Sequence, residues 1–243
     1  MTKYLIPLAL LVLLGLPLIY ESTPTEVLKL KTFDALIPEQ QPSGYFTVLN
    51  ITEDDITREG GYPLPRQRLA EINTQLKEKG ALGIGWVVAF PQPDRFGGDE
   101  AFKQSLEDIP SVLAMFEGDN ALYPNTTGTV ILGEDVGGTP AAGVIQNIDL
   151  FKQSSQQGIA VARTEVDSLI RRLPLLLRTP DGWVPAYGTE VLKILVGADT
   201  YVIKTNDNGL EEIRVRGLPP VPVDSLGRKW ISFVNTPHTN LKD

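Results

Sequence analysis

The pattern of apolar positions predicts both strands and helices in the first part of the chain. Residues 45–51, YFTVLNI, are rich in β-branched and aromatic side chains and predict a strand. In residues 65–79, the positions of Leu69, Ile72 and Leu76 fall on one face of a helix. This order, a strand followed by a helix with one apolar face, is typical of an α/β layer.

The following stretches continue that alternation. Residues 81–90, ALGIGWVVAF, are apolar on both faces, as expected of a central strand in a covered parallel sheet. Residues 99–108 predict a second helix, and residues 111–116 predict a third strand. The sequence therefore predicts an N-terminal β-α-β-α-β unit with right-handed crossovers.

The pattern of the second half predicts a long loop followed by several strands and one helix. Residues 117–147 are rich in Gly, Asn, Thr and Pro and predict a long irregular segment. Residues 186–197 predict one helix. The predicted strands of this half are residues 158–163, 173–178, 200–204, 211–217 and 230–235. The fold class expected from the whole pattern is α/β, with one mixed sheet in a single domain.

A membrane segment is predicted at the N-terminus. Residues 4–20 form a run of seventeen uncharged residues between Lys3 and Glu21, close to the lower limit for a helix that crosses a bilayer. No small-x-small cleavage site follows, which favours an anchor over a cleaved signal peptide. The run has no polar face, which argues against a buried amphipathic helix.

The predicted domains follow from that anchor. Residues 1–20 would form the transmembrane anchor of a protein in the bacterial cytoplasmic membrane. Lys3 favours a cytoplasmic N-terminus, so residues 21–243 would face the periplasm or the cell exterior.

Composition excludes several classes of function. The chain has 22 Lys+Arg against 30 Asp+Glu, so nucleic acid is not expected as a partner. It has no cysteine and one histidine, His238, which disfavours thiol chemistry, a Ser-His-Asp triad and histidine-rich metal sites. No GxSxG, GxGxxG or GxxxxGK[ST] motif occurs. We therefore expect no enzyme active site, no cofactor and no metal in this segment.

Acidic residues are the main candidates for a binding site. Glu53 and Asp54 follow the first predicted strand, while Asp94 and Asp99 follow the central apolar strand. The carboxyl ends of parallel strands form the crevice in which α/β proteins bind ligands. The alternative is helix capping, because acidic residues are favoured at helix N-termini.

Two arginines complete the predicted site. Arg66 follows a turn made rigid by Pro63 and Pro65, and Arg171 would supply a positive charge from the second half. Arg66 would suit an anionic ligand or a partner subunit, whereas an ion pair with the nearby acidic loop is the structural alternative for it.

Several short motifs follow one another in a defined order along the chain. In the first half these are the acidic turn after a strand, Gly61-x-Pro63-x-Pro65-Arg66, Leu69-Ala70, Gly80, Phe90 and the acidic loop Asp94–Asp99. In the second half they are residues 167–175 (DSLIRRLPL), 221–224 (VPVD), Gly227 and 231–233 (ISF). Taken together, these motifs resemble the type-two CHASE domain, an extracellular sensory module attached to bacterial adenylate cyclases, histidine kinases and serine/threonine kinases. The resemblance runs from about Phe33 to Pro237 and depends on the order of the motifs.

The resemblance implies a sensory domain with membrane helices and a separate output domain. The chain departs from the family pattern at five positions, two of which, Thr52 and Val87, replace aspartates of relatives. The departures are Thr52, Tyr62, Leu64, Val87 and Ser168. A carboxylate ligand role at the two aspartate positions does not carry over to this chain.

The leading hypothesis is an extracytoplasmic input domain that binds an unknown small ligand, or pairs with a second copy or a receptor partner. The alternatives are a membrane-anchored scaffold or assembly protein without a small ligand, and a hydrolase that uses paired carboxylates. A homodimer or a receptor partner is expected in the leading case.

Overall fold

The computed structural model describes residues 23–38, 40–119, 122–233 and 238–240. The predicted transmembrane anchor at residues 1–20 lies outside this part of the chain. Within the described ranges, no helix has the length and apolar character needed to cross a bilayer.

The described residues form short helices and short strands in mixed order. The helices are α1 (Thr23–Leu36), α2 (Glu53–Arg58), α3 (Arg66–Glu78), α4 (Asp99–Glu107), α5 (Asp149–Ser154) and α6 (Tyr187–Leu195). The strands of the first half are β1 (Val48–Asn50), β2 (Ile84–Trp86), β3 (Ser111–Glu117), β4 (Thr129–Leu132), β5 (Thr139–Pro140), β6 (Val144–Ile145) and β7 (Gln156–Ala160). Those of the second half are β8 (Arg172–Pro174), β9 (Leu176–Thr179), β10 (Gly182–Pro185), β11 (Tyr201–Asn206), β12 (Gly209–Val215), β13 (Val221–Pro222), β14 (Arg228–Trp230) and β15 (His238–Asn240). The coarse expectation of a mixed α/β fold is therefore confirmed.

A small sheet centred on β3 organises the first region. β3 pairs in parallel with β2 and with β7, and its end pairs antiparallel with β6. Helices α3, α4 and α5 bury their apolar faces in the adjoining core, where Phe90, Phe102 and Phe151 meet edge to face. Such aromatic contacts add to the free energy gained by burying apolar area.

A second sheet, in the order β13-β12-β11-β4, organises the other region. The hairpin β11–β12 supplies its centre, and β4 adds in parallel at one edge. Inward-facing residues such as Tyr201, Ile203 and Ile213 are fully buried. Helix α6 packs on β3 and β7, and its buried Glu190 accepts a hydrogen bond of 2.6 Å from the Tyr201 hydroxyl. One helix thus contacts both regions.

The strands of the described residues fall into five sheets, so the expectation of one mixed sheet is not confirmed. β1 pairs in parallel with β15 and does not join β2 and β3, so the predicted β-α-β-α-β unit lacks its first strand. The predicted strand at 173–178 is divided at Leu175, because β8 pairs with β14 whereas β9 pairs with β10. The predicted loop at 117–147 contains β4, β5 and β6, whose strand character comes from pairing with distant segments.

The first helix contacts the rest of the protein through one face. Leu30 is its only fully buried residue, and the ring of Phe33 lies 4.0 Å from that of Trp230. Trp230 ends β14, which pairs with β8. The N-terminal helix is therefore attached to a sheet formed by the C-terminal half.

Candidate functional site

The structure divides the predicted site residues among three places. Glu53 and Asp54 are exposed in the first turn of α2. Their neighbour Asp55 is buried, forms a capping box with Thr52 and pairs with Arg58. The acidic run therefore caps a helix, which was the structural alternative for these residues.

Arg66, Asp94 and Asp99 are brought together at the start of α3. This helix begins after Pro65, which has no side chain able to cap it. The Asp94 carboxylate replaces the missing cap by accepting a 2.8 Å hydrogen bond from the Arg66 backbone N–H. Asp94 also accepts the N–H groups of Phe96 and Gly98. Burial opposes ionisation of Asp94, but these donors outweigh it and lower the pKa of its carboxyl.

The ion pair between Arg66 and Asp99 is incomplete. One Asp99 oxygen accepts the backbone N–H of Asp94 at 2.8 Å. The other, Oδ1, lies 3.7 Å from Arg66 Nε, which is too far for a hydrogen bond. Both atoms are buried and have no hydrogen-bond partner in the described structure. The guanidinium lies over the Phe90 ring, and burial lowers the pKa of Arg66.

The loop between Asp94 and Asp99 is packed tightly against α3. A Cβ atom on Gly98 would lie 2.3 Å from the Gln67 backbone nitrogen. Only glycine permits this approach without a shift of backbone. The loop is thus fixed by sterics as well as by hydrogen bonds, and it holds the Arg66 group in one geometry.

Arg171 belongs to a different group, at the junction of α1 with the domain. Its guanidinium donates two hydrogen bonds of 2.7 Å to Asp34 of α1. It donates two more, of 2.8 and 2.7 Å, to Asp167. Arg171 is only 3% exposed and Asp167 is 11% exposed at its side chain, whereas the Asp34 side chain is 41% exposed. We call Asp34, Asp167 and Arg171 the α1 clamp.

The electrostatics of the α1 clamp favour its charged state. Hydrogen bonds from Arg171 lower the pKa of Asp167 from 3.8 to about 2. They also lower the pKa of Asp34, and the two carboxylates raise the pKa of Arg171. Four of the five N–H groups of this arginine are used within the chain, so it acts as an internal connector.

The neighbouring residue, Arg172, forms a second attachment. It donates hydrogen bonds of 2.7 and 2.6 Å to Glu165 and lies over the ring of Trp230. Trp230 in turn stacks on Phe33 of α1. The side chains of consecutive residues in an extended segment point to opposite sides, so the two arginines pair with different acidic residues. Sequence reasoning missed these partners, although two acids at 165 and 167 precede two arginines at 171 and 172.

A shallow groove of about 400 Å³ lies elsewhere, between α3 and α4. Its floor is polar but already hydrogen-bonded, since Asn73 donates to Ser105 and accepts from Trp86. The lining residues are Asn73, Thr74, Lys77, Glu78, Ser105 and Asp108. Across the described ranges, no group of three His, Asp or Glu residues is arranged to hold a metal ion.

Comparison with known proteins gives one match. The family model described as CHASE2 domain matches residues 8–243, which is nearly the entire chain. No curated protein and no solved structure matches. The resemblance drawn from the order of sequence motifs is therefore confirmed.

Proposed function

Because the chain belongs to the CHASE2 domain family of extracellular, non-catalytic sensory domains, we propose that it is the input domain of a bacterial transmembrane receptor. The output of such a receptor would be an adenylate cyclase or a sensor kinase. Residues 1–20 would anchor the chain in the cytoplasmic membrane, and residues 21–243 would lie on its outer side.

The observation that carries this proposal is the α1 clamp. Helix α1 is the first described element after the apolar run at 4–20, so a movement of α1 is the shortest route to a membrane helix. Arg171 connects α1, through Asp34, to the body of the domain, through Asp167. A domain that relays a signal needs such a defined connection between its body and its membrane end.

Relay also requires two states with different contacts. In the described state, the α1 clamp is closed and Phe33 rests on Trp230. In the proposed second state, α1 is released or shifted, with Asp34 in solvent. The Asp34 side chain is already 41% exposed, so solvent screens its attraction to Arg171 and its release costs less than the breaking of a fully buried ion pair.

Arg66 and Asp99 are proposed as the residues that respond to a small ligand. Their facing atoms, Nε and Oδ1, are buried without partners at 3.7 Å, an arrangement whose hydrogen bonding a ligand or a water would complete. Glu53, Asp54 and Arg171 are not part of this group, since the first two are exposed on α2 and the third is in the α1 clamp.

Membrane topology tests the proposed location. The full chain, fused at its C-terminus to alkaline phosphatase, is expected in the membrane fraction with an active enzyme, because this reporter requires export. A variant without residues 4–20 is the control and should be inactive. An inactive full-length fusion in the cytosol would contradict the proposal.

Ligand-dependent stabilisation tests the sensory part. The full chain in detergent is screened by thermal unfolding against a panel of metabolites and ions. A true ligand at 100 times its dissociation constant adds about 2.7 kcal/mol to the free energy of unfolding. Arg66→Met should abolish the shift for a ligand bound at this group, whereas Arg214→Met, at an exposed position, should leave it unchanged. A shift retained in Arg66→Met would place the ligand elsewhere.

A further inference from the structure

A buried asparagine joins three segments of the first region. Asn147 lies between β6 and α5, is 3% exposed and uses both ends of its side-chain amide. Its Oδ1 accepts the Phe90 N–H at 2.6 Å. Its Nδ2 donates to the Ala114 carbonyl of β3 at 3.2 Å and to Oε1 of Gln157 in β7. The orientation of the amide is fixed, because Phe90 offers a donor and the other two partners offer acceptors.

Phe90 is the platform on which the Arg66 group rests. Its N–H is bound by Asn147, and its carbonyl accepts the N–H of the residue after Asn147 at 2.9 Å. The Arg66 guanidinium lies 4.4 Å from the centre of the Phe90 ring. The same ring meets that of Phe102 edge to face, in the helix that begins at Asp99. Asn147 therefore positions the residue that contacts both Arg66 and the helix of Asp99.

From β7, backbone contacts lead to the α1 clamp. Ile159 of β7 pairs in parallel with Ala186, the residue before α6. The Ala186 N–H donates to the Leu175 carbonyl at 3.2 Å. Leu175 follows β8 directly, and Arg171 precedes β8 directly. These links are made by the backbone, whereas the Asn147 link is made by a side chain, so a single substitution can remove it alone.

We propose that Asn147 couples the Arg66 group to the α1 clamp, so that a change at Arg66 alters how firmly α1 is held. The inference rests on the proposed function, because the hold on α1 becomes a signal only if α1 leads to a membrane anchor. The physical basis is the cost of a buried polar group that loses its partner. No water replaces a lost bond of Asn147, so a movement of Phe90 is passed on to β3 and β7.

A double-mutant cycle measures this coupling directly. Hydrogen exchange of residues 23–36 is followed in the full chain in detergent, for the wild type, Arg66→Met, Asn147→Leu and the double variant. Arg66→Met should change the exchange rate of α1 by roughly 2- to 30-fold, the range found for residues that couple distant sites. Asn147→Leu removes the amide but keeps a branched side chain. In this background, the effect of Arg66→Met should fall below about twofold.

Asn73→Leu is the matched control. Asn73 is 1% exposed and also binds two partners, Ser105 and Trp86, but it has no contact with Phe90, β3 or β7 through these hydrogen bonds. It should destabilise the fold as Asn147→Leu does, yet leave the response of α1 to Arg66→Met intact. An equal response in the two backgrounds overturns the inference, because Asn147 would then have only a structural role.

Gln157→Leu keeps the test decisive if Asn147→Leu does not fold. Gln157 is partly exposed, so this change removes the β7 end of the link at a lower cost in stability. The response of α1 to Arg66→Met should be reduced, and a full response overturns the inference. An α1 that does not respond to Arg66→Met in the wild type also overturns it, but leaves export and ligand binding intact. Coupling in a chain that is not exported contradicts the proposed function alone.

Discussion

Two buried arginines of this protein, each beside two aspartates, form very different sites. Arg171 makes four hydrogen bonds of 2.7–2.8 Å to Asp34 and Asp167. Arg66 has no hydrogen bond to either aspartate through its guanidinium, and its Nε lies 3.7 Å from Asp99. The pKa of Arg171 is raised by its carboxylate partners, whereas burial lowers that of Arg66.

The difference follows from what the aspartates bind. Asp94 and one oxygen of Asp99 accept backbone N–H groups, so they are committed to holding a loop and a helix end. Asp34 and Asp167 each direct both carboxylate oxygens to Arg171, although Asp167 Oδ1 also accepts a longer hydrogen bond, of 3.3 Å, from the Leu169 N–H. The same set of one arginine and two aspartates therefore gives a fully hydrogen-bonded connection in one place and an incomplete ion pair in another. Under the proposed function, the first group would transmit the signal and the second would respond to a ligand.

The largest expected effect is that of Arg171→Met. It removes all four hydrogen bonds and leaves Asp167, 11% exposed at its side chain, without its cation. We expect α1 to detach, with a lower unfolding temperature and rapid hydrogen exchange across residues 23–36. Arg214→Met, at an exposed site, is the control for loss of charge and should change neither measurement. Unchanged protection of α1 in Arg171→Met would show that the aromatic contact alone holds the helix.

Acid should release the same connection. The folded-state pKa of Asp167, about 2, lies below its ordinary value of 3.8. A carboxyl group whose pKa is lowered by folding stabilises the fold at a pH above its ordinary pKa. This stabilisation disappears as the pH falls from about 4 to about 2. The difference in urea unfolding free energy between the wild type and Arg171→Met should therefore narrow over this range. Taking the difference between the two unfolding free energies cancels the contribution of the other carboxylates. A difference that stays constant between about pH 4 and about pH 2 would contradict the proposed stabilising role of the α1 clamp.

Asp94→Ala tests the helix cap with a smaller expected effect. Loss of a capping carboxylate costs about 1 kcal/mol of unfolding free energy, measured by urea denaturation. Asp54→Ala is the control, since it removes an exposed acid from the first turn of α2, whereas Asp94 accepts the first N–H of α3 from a loop outside that helix. We expect the control to stay within about 0.5 kcal/mol of the wild type. Equal losses of unfolding free energy in the two variants would mean that Asp94 stabilises the fold no more than an exposed acidic residue does.

Arg66→Met should have the smallest effect on stability. A buried, incompletely paired charge contributes little, and a methionine of similar length keeps contact with Phe90, so the change should stay within about 1 kcal/mol. Urea denaturation of this variant beside Arg171→Met compares the two arginines directly. A loss as large as that of Arg171→Met would remove the distinction between the two sites.

The local pattern of apolar residues was sufficient to predict the strongly amphipathic helices. The helix predicted at 65–79 is α3, that at 99–108 is α4 and that at 186–197 is α6. Their apolar faces are visible in the residue spacing, which does not depend on the partner they pack against. Helix α1 was not predicted, because Leu28, Leu30, Phe33 and Leu36 point in several directions and give no single apolar face.

The candidate sites were predictable only in part. Arg66, Asp94 and Asp99 were predicted as members of a larger site that also included Glu53, Asp54 and Arg171. The structure brings together only the first three of these residues. Of the two partners of Arg171, Asp167 lies only four positions away and was overlooked, whereas Asp34 lies 137 positions away along the chain. Nothing local in the sequence distinguishes an acid that will meet a distant arginine from one that faces water.

By itself, the sequence determined the mixed α/β class, the main amphipathic helices, the acidic and cysteine-free composition and, through the order of its motifs, the family. The tertiary structure alone decided that the strands separate into five sheets, that β1 pairs with β15, and which arginine is fully bonded. The physical reason is the distance along the chain over which each property is determined. Helix periodicity and composition are local properties, whereas strand pairing and ion-pair geometry depend on which distant segments the packed core brings together.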